Sequence, residues 1–318
     1  MKWTHRRTFK LLSFIALTLL CESVFARSYQ RSRVLMHDQE VDWSASWLKL
    51  GKTEGDSIKE LFKLLRKSNT GTRILLKTRN KLDVEGRDIL DLVSSAETSL
   101  TDTTLIRRFS PYNPLDVTYV TRSTITINRN HNVMDALLDL AHELTHFIYR
   151  AAFNPYEANF NWKQFIADTV EGRGGEVDAY LKECQVMKEL RPRYYANGSK
   201  CLNVVDMRTG KLSKLLATRE FYRVGNHLKR FHRRVKDLDL EAEDQNFPIS
   251  GKESRFISSA YGLPYPVAAL EEYAVIMNTV CQNDQKRLKM ISRSPAVSDS
   301  EHQEYLLNFK SRCRSFVQ

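Results

Sequence analysis

The chain has 318 residues, 42% of them hydrophobic and 27% charged. These proportions exclude wholesale disorder and allow one large domain or two modest ones with a core. The formal charge is +11; no nucleic-acid module accompanies it, so the basicity belongs to a soluble basic surface or to one that meets anionic envelope polymers or headgroups.

The N-terminus reads as a targeting segment. Lys2, Arg6, Arg7 and Lys10 precede the apolar run "LLSFIALTLL" (Leu11 to Leu20), and Val24 and Ala26 supply the residues that a signal peptidase accepts. The run is too short to span a bilayer comfortably. The expectation is a signal peptide over residues 1–26, cleavage near Ala26, and a periplasmic or secreted protein with no transmembrane segment in the mature chain. A lipid anchor at Cys21 is the weaker alternative, because bulky Leu20 stands where a small residue is needed. Removing residues 1–26 takes away four basic residues and one acidic one and leaves a formal charge of +8.

Export changes the meaning of the cysteines. Cys184, Cys201, Cys281 and Cys313 remain, an even number in an oxidising compartment. The pairs Cys184–Cys201 and Cys281–Cys313 are favoured because each closes a short loop; four buried thiols are the alternative. No CxxC is present to suggest cysteine ligation of a metal.

Residues 27–45 form a polar lead-in. "SIKELFKLL" (Ser57 to Leu65) has helical spacing, "SNTG" interrupts it, and Thr72 to Leu82 resumes as a second helix. "VEGRDILDLVSSAE" reads as a third, short helix. The period then changes. "TTLIRRF" (Thr103 to Phe109), "DVTYVT" (Asp116 to Thr121) and the strictly alternating "STITIN" (Ser123 to Asn128) read as two or three strands of a small antiparallel sheet. Helices follow over Met134–Arg150, Ala158–Val170 and Glu176–Leu190. "RPRYYANGSK" reads as a loop, Lys211–Leu240 as mostly helical, and "GLPYP" (Gly262 to Pro266) as a rigid turn before a last helix. "HLKRFHRRVK" (His227 to Lys236) is the densest basic cluster, a polar helix face over the stripe Leu228, Phe231 and Val235. The fold class expected is α+β, predominantly helical, with the sheet preceding the central helix. The domain plan is a signal peptide (1–26), a mostly helical N-terminal region (27–102), and a region carrying the site with a helical C-terminal part (103–318).

The chemistry concentrates in "LLDLAHELTHFIYR" (Leu137 to Arg150). On a 3.6-residue period Met134, Leu137, Leu138, Ala141, Leu144 and Ile148 share one face. Asp135, Asp139, His142, His146 and Tyr149 fall on another. His142 and His146 therefore stack one turn apart and can aim ring nitrogens at one point, the geometry of a zinc ion held by two imidazoles. Glu143 stands beside the pair as general base for an activated water. Three protein ligands would suit a catalytic zinc (Zn2+), and no third histidine follows closely. The third ligand is then a glutamate: Glu176 in "EGRGGEVDAY", where it opens a helix after a glycine pair, is preferred to Glu171, with Glu271 and Glu272 in "ALEEYA" as more distant rivals. Asp139 is a candidate to orient an imidazole, and Tyr149, Tyr180 and Tyr222 are candidate oxyanion donors.

"AHELTH" followed by "GGEVDAY" resembles the zincin metallopeptidases, in the gluzincin arrangement where a glutamate on a later helix completes the metal shell. The resemblance covers residues 123–181. It implies His142 and His146 as zinc ligands, Glu143 as general base, Glu176 as third ligand, a peptide or protein substrate, and "STITIN" as the edge strand along which that substrate lies. The sequence departs from the better-known gluzincins four residues after the glutamate, where Tyr180 replaces the usual aspartate. The competing readings are a zinc amide hydrolase acting on cell-wall peptides and a non-enzymatic envelope or binding protein in which the motif is accidental or inactive.

Overall fold

In a computed structural model, residues 41–110, 112–157, 160–240 and 247–316 are described. The signal-peptide reading lies outside these residues. Ser44–Gln318 form one unit.

Two helices open it, α1 (Glu54–Arg66) and α2 (Asn69–Glu85). Thr53 and Ser68 cap them by accepting the backbone N–H three residues on. Gly86 (φ +65°) ends α2 in the left-handed conformation that glycine adopts without a Cβ penalty.

The sheet follows: β1 (Val93–Ala96), β2 (Leu100–Phe109) and β3 (Val117–Asn128), in the order β1-β3-β2. β2 and β3 form a long antiparallel hairpin, from Leu100 opposite Thr126 to Phe109 opposite Val117. β1 runs parallel to β3, with Val93 opposite Ile125. Three expectations are corrected here. "VEGRDILDLVSSAE" is not a helix: it holds a short 3-10 turn, Ile89–Asp91, and then β1. The sheet is mixed rather than wholly antiparallel. "STITIN" is part of β3, the middle strand, paired with β1 over Ile125–Asn128 and with β2 up to Thr126, so the edge strands are β1 and β2.

The central helix α3 (Val133–Tyr149) is capped by Asn132. It packs against β3 and β2 on one side and against α1, α2 and α5 (Glu176–Leu190) elsewhere. Leu137, Leu140, Ala141 and Leu144 are wholly buried, and Phe147 nearly so. Neighbours therefore cover the helix on more than the one apolar stripe its sequence shows, and its histidine face is closed in.

The remaining elements are α4 (Trp162–Val170), α6 (Pro192–Ala196), a small hairpin β4 (Val205–Asp206) and β5 (Lys211–Leu212), α7 (Lys214–Phe221), α8 (Leu228–Asp237), α9 (Tyr265–Ile291) and α10 (Asp299–Cys313). α6 lies where a loop was expected, and residues 211–240 divide into two helices. On α8 the expected stripe holds for Phe231 and Val235, which are buried. Among the described residues no helix is long and apolar enough to cross a membrane.

Both expected disulfides are present. Cys184–Cys201 ties α5 to the 3-10 segment Lys200–Val204, and Cys281–Cys313 ties α9 to α10. They fit an oxidising, extracytoplasmic compartment. The far end of β2 is anchored at Asp284 on α9, which has no exposed surface. Arg107 Nη1 donates to its Oδ1 at 2.7 Å, Tyr305 Oη donates to the same oxygen at 2.8 Å, and Arg312 Nη1 lies 3.6 Å from Oδ2.

Candidate metal centre

His142, His146 and Glu176 come together. Each offers one ligand atom, and these atoms lie within 4.8 Å of one another. Helical spacing brings the two rings together, with centroids 4.7 Å apart and planes at 79°. Glu176 arrives as the first residue of α5, because α5 packs along α3. His142 Nε2 is 3.2 Å from Glu176 Oε2, and His146 Nε2 is 3.5 Å from Glu176 Oε1.

The backs of both rings are held. His146 Nδ1 is 2.7 Å from the carbonyl oxygen of Gly174. A carbonyl only accepts, so Nδ1 carries a hydrogen, and in the neutral ring Nε2 is the nitrogen whose lone pair is open to a ligand. The approach depends on glycine: Gly174 has φ +73°, and a Cβ there would sit 2.6 Å from the backbone nitrogen of Arg150. His142 Nδ1 is 3.4 Å from Glu183 Oε2, on the same face of α5 seven residues beyond Glu176. Carboxylate or carbonyl support behind a ligating imidazole is the usual outer shell of a metal site. Two imidazoles and one carboxylate thus fit a divalent metal and leave room for a further, non-protein ligand.

Electrostatics follow from burial and crowding. Burial pushes the His142 pKa down, but hydrogen bonds to Glu176 and Glu183 and the charge of Glu143 outweigh it, leaving it well above normal. Burial pushes Glu176 up, but His146, His142 and Arg150 hold it well below the usual carboxylate range. Glu143 is raised, chiefly by burial.

Glu143, 7% exposed, lines the same cleft, of about 270 Å³, as the three ligands. Thr101 Oγ1 on β2 lies 2.8 Å from its Oε2 and 2.9 Å from its backbone carbonyl. The edge strand is thereby fixed against Glu143. Arg150 Nη2 donates to Glu176 Oε1 at 3.2 Å and to the Thr169 carbonyl at 3.1 Å.

Other candidates fall elsewhere. Glu171 accepts a hydrogen bond from Tyr222 Oη at 3.1 Å and is not in the cluster. Glu271 pairs with Arg230 and Arg234 on α8. Glu272 lines the cleft without entering the ligand group. Asp139 is 2.9 Å from His131 Nε2 and orients that ring instead of His142. Tyr149 Oη receives Lys77 Nζ, and Tyr180 Oη is buried without a partner among the described residues; neither lines the cleft, nor does Tyr222. Two other tyrosines do, Tyr261 and Tyr265; Tyr265 is the first residue of α9, and its pKa is raised by burial and then by the charges of Glu176, Glu143 and Glu183. The sequence reading missed it because it stands between prolines in "GLPYP".

Comparison with protein-family models, with curated proteins and with solved structures finds no match for this chain.

Proposed function

We propose that this protein is an exported zinc-dependent metallopeptidase of the gluzincin type, hydrolysing peptide bonds in the cleft lined by β2, α3, α5 and α9. The observation that carries the reading is the His142, His146 and Glu176 cluster with the Glu143 carboxyl facing the same cleft. A set of three protein ligands is the pattern of catalytic rather than structural zinc.

When bound, zinc supplies Lewis acidity, which makes a water molecule acidic near neutral pH and polarises a carbonyl. The chain's own groups do the rest. Glu143 accepts the proton of the attacking water and passes it to the departing amide nitrogen. Thr101 holds Glu143 in place. Tyr265, kept protonated, is a donor for the developing oxyanion. β2, at the sheet edge, offers main-chain groups to an extended peptide. Export is supported by the leader-like sequence and by the two disulfides.

The test is elemental analysis of the purified mature protein, joined to hydrolysis of casein before and after chelation and zinc restoration. Bound zinc with chelator-sensitive, restorable cleavage is the expected result. Protein without zinc and without restorable cleavage would end the reading.

A further inference from the structure

The cleft carries more negative charge than a metal site requires. Its lining includes four carboxyl groups, Asp102, Glu143, Glu176 and Glu272, and a single guanidinium, Arg150. Arg150 is already committed to Glu176 and to a backbone carbonyl. A divalent ion would still leave the lining with net negative charge.

Among the described residues two of those carboxylates form no ion pair. Asp102, exposed on the edge strand β2, accepts, among the described residues, only a 3.3 Å hydrogen bond from Thr104, its near neighbour on the strand. Glu272, half-buried on α9, has no hydrogen bond or ion pair among the described residues. Burial raises the Glu272 pKa; the charge of Arg150 opposes this, and those of Glu176 and Asp102 add to it. The two groups, from different elements, thus lie close enough for their charges to interact.

Two uncharged groups point the same way. Thr169 is 6% exposed and lines the cleft, and its Oγ1 is buried with no hydrogen-bond partner among the described residues. A buried hydroxyl left unpaired is costly unless a ligand completes it. Tyr261, 41% exposed, also lines the cleft and offers a ring face of the kind that attracts cations.

We infer that Asp102 and Glu272, with Thr169 and Tyr261 in the lining of the same cleft, form a subsite for a cationic group of the substrate, in the cleft that holds the metal centre. The cation comes either from the peptide's α-amine or from a basic side chain; both present the same chemistry. As a statement about what is hydrolysed, this rests on the metallopeptidase reading; as a statement about binding, it does not.

Three labelled pentapeptides separate the cases: an N-acetylated peptide with one central lysine, its norleucine counterpart, and the norleucine peptide with a free N-terminus. Binding is measured to the zinc-loaded Glu143→Gln protein, and hydrolysis with the zinc-loaded wild type. The lysine or the free-amine peptide is expected to bind roughly tenfold more tightly than the neutral one. Asp102→Asn with Glu272→Gln should erase that difference while bound zinc stays unchanged. The preferred peptide identifies the source of the cation. Equal binding of all three peptides, or a preference that survives the double substitution, overturns the inference. Selective binding without hydrolysis by the wild type would uphold the subsite and count against the peptidase reading. Hydrolysis without selectivity would do the reverse.

Discussion

The carbonyl of Gly174 meets Nδ1 of His146 at 2.7 Å, so a turn 28 residues downstream sets which nitrogen of the second motif histidine faces the metal position. Replacing that glycine tests the relationship. Gly174→Ala combines a left-handed backbone with a Cβ driven against Tyr149 and Arg150. A loss of roughly 1–3 kcal/mol in unfolding free energy is expected, together with weaker zinc binding. Denaturant unfolding and a zinc titration check both; wild-type values in each would show that the turn has slack.

Glu143→Gln should retain zinc and fold normally while peptide hydrolysis falls by about 10²–10⁴-fold, the usual contribution of a positioned acid–base group. His146→Ala should lose zinc and hydrolysis together. Normal turnover by the Glu143→Gln protein would remove Glu143 from the role of base.

Glu176→Ala and Glu171→Ala separate the two glutamates that flank the glycine turn. Glu176→Ala is expected to lose bound metal, whereas Glu171→Ala, which removes only the acceptor for Tyr222, keeps it. Metal content after dialysis decides, and retention by the first variant would move the third ligand elsewhere.

Glu183 stands behind His142 as the group that orients the ring. Glu183→Gln is predicted to weaken zinc binding by about 10–100-fold, as outer-shell substitutions do, with little change in unfolding. Competition with a chromophoric chelator measures it; undiminished affinity would show that His142 is oriented without it.

Glu189 gives a pH dependence away from the metal. Burial raises its pKa, but hydrogen bonds from Ser68, the Thr70 backbone, Gln185 and the Thr70 hydroxyl outweigh that and hold it at about 2 against the ordinary 4.5 of a free glutamate. A depressed folded-state pKa stabilises the fold above the unfolded value. That stability is lost as pH falls from about 4.5 towards about 2. Unfolding of wild type and Glu189→Gln should therefore converge over that range and differ above it; parallel curves would contradict the assignment.

Much of this was legible in the sequence, for physical reasons that can be named. Two histidines at a four-residue spacing must share a helix face, and a glutamate opening the helix after a glycine pair is free to reach it. Short loops favoured the disulfide pairs found. What escaped depends on contacts between distant segments. β1 is the four residues "VSSA", whose strand state comes from parallel pairing with β3 and not from local pattern. That pairing moves "STITIN" from the edge to the middle and leaves β2 as the edge strand that borders the cleft. Asp139 turns to His131, a neighbour eight residues back, and leaves His142 to Glu183. Tyr265 was hidden because Pro264 and Pro266 read as a turn, although a proline in the first helical turn costs no hydrogen bond.

The anchoring of Arg107 at Asp284 reaches further than its own neighbourhood. β2 brings Thr101 to Glu143 near one end and is fastened through Arg107 to the paired helices α9 and α10 near the other. A chain ending before Asp299 would lose Tyr305, Arg312 and the cysteine that closes the second disulfide. Asp284 would keep Arg107 as its sole partner among those three side chains. The rail that borders the cleft would then be clamped at one end and loosened at the other, so the last helix, far along the chain from the histidines, helps determine how firmly the cleft holds its shape.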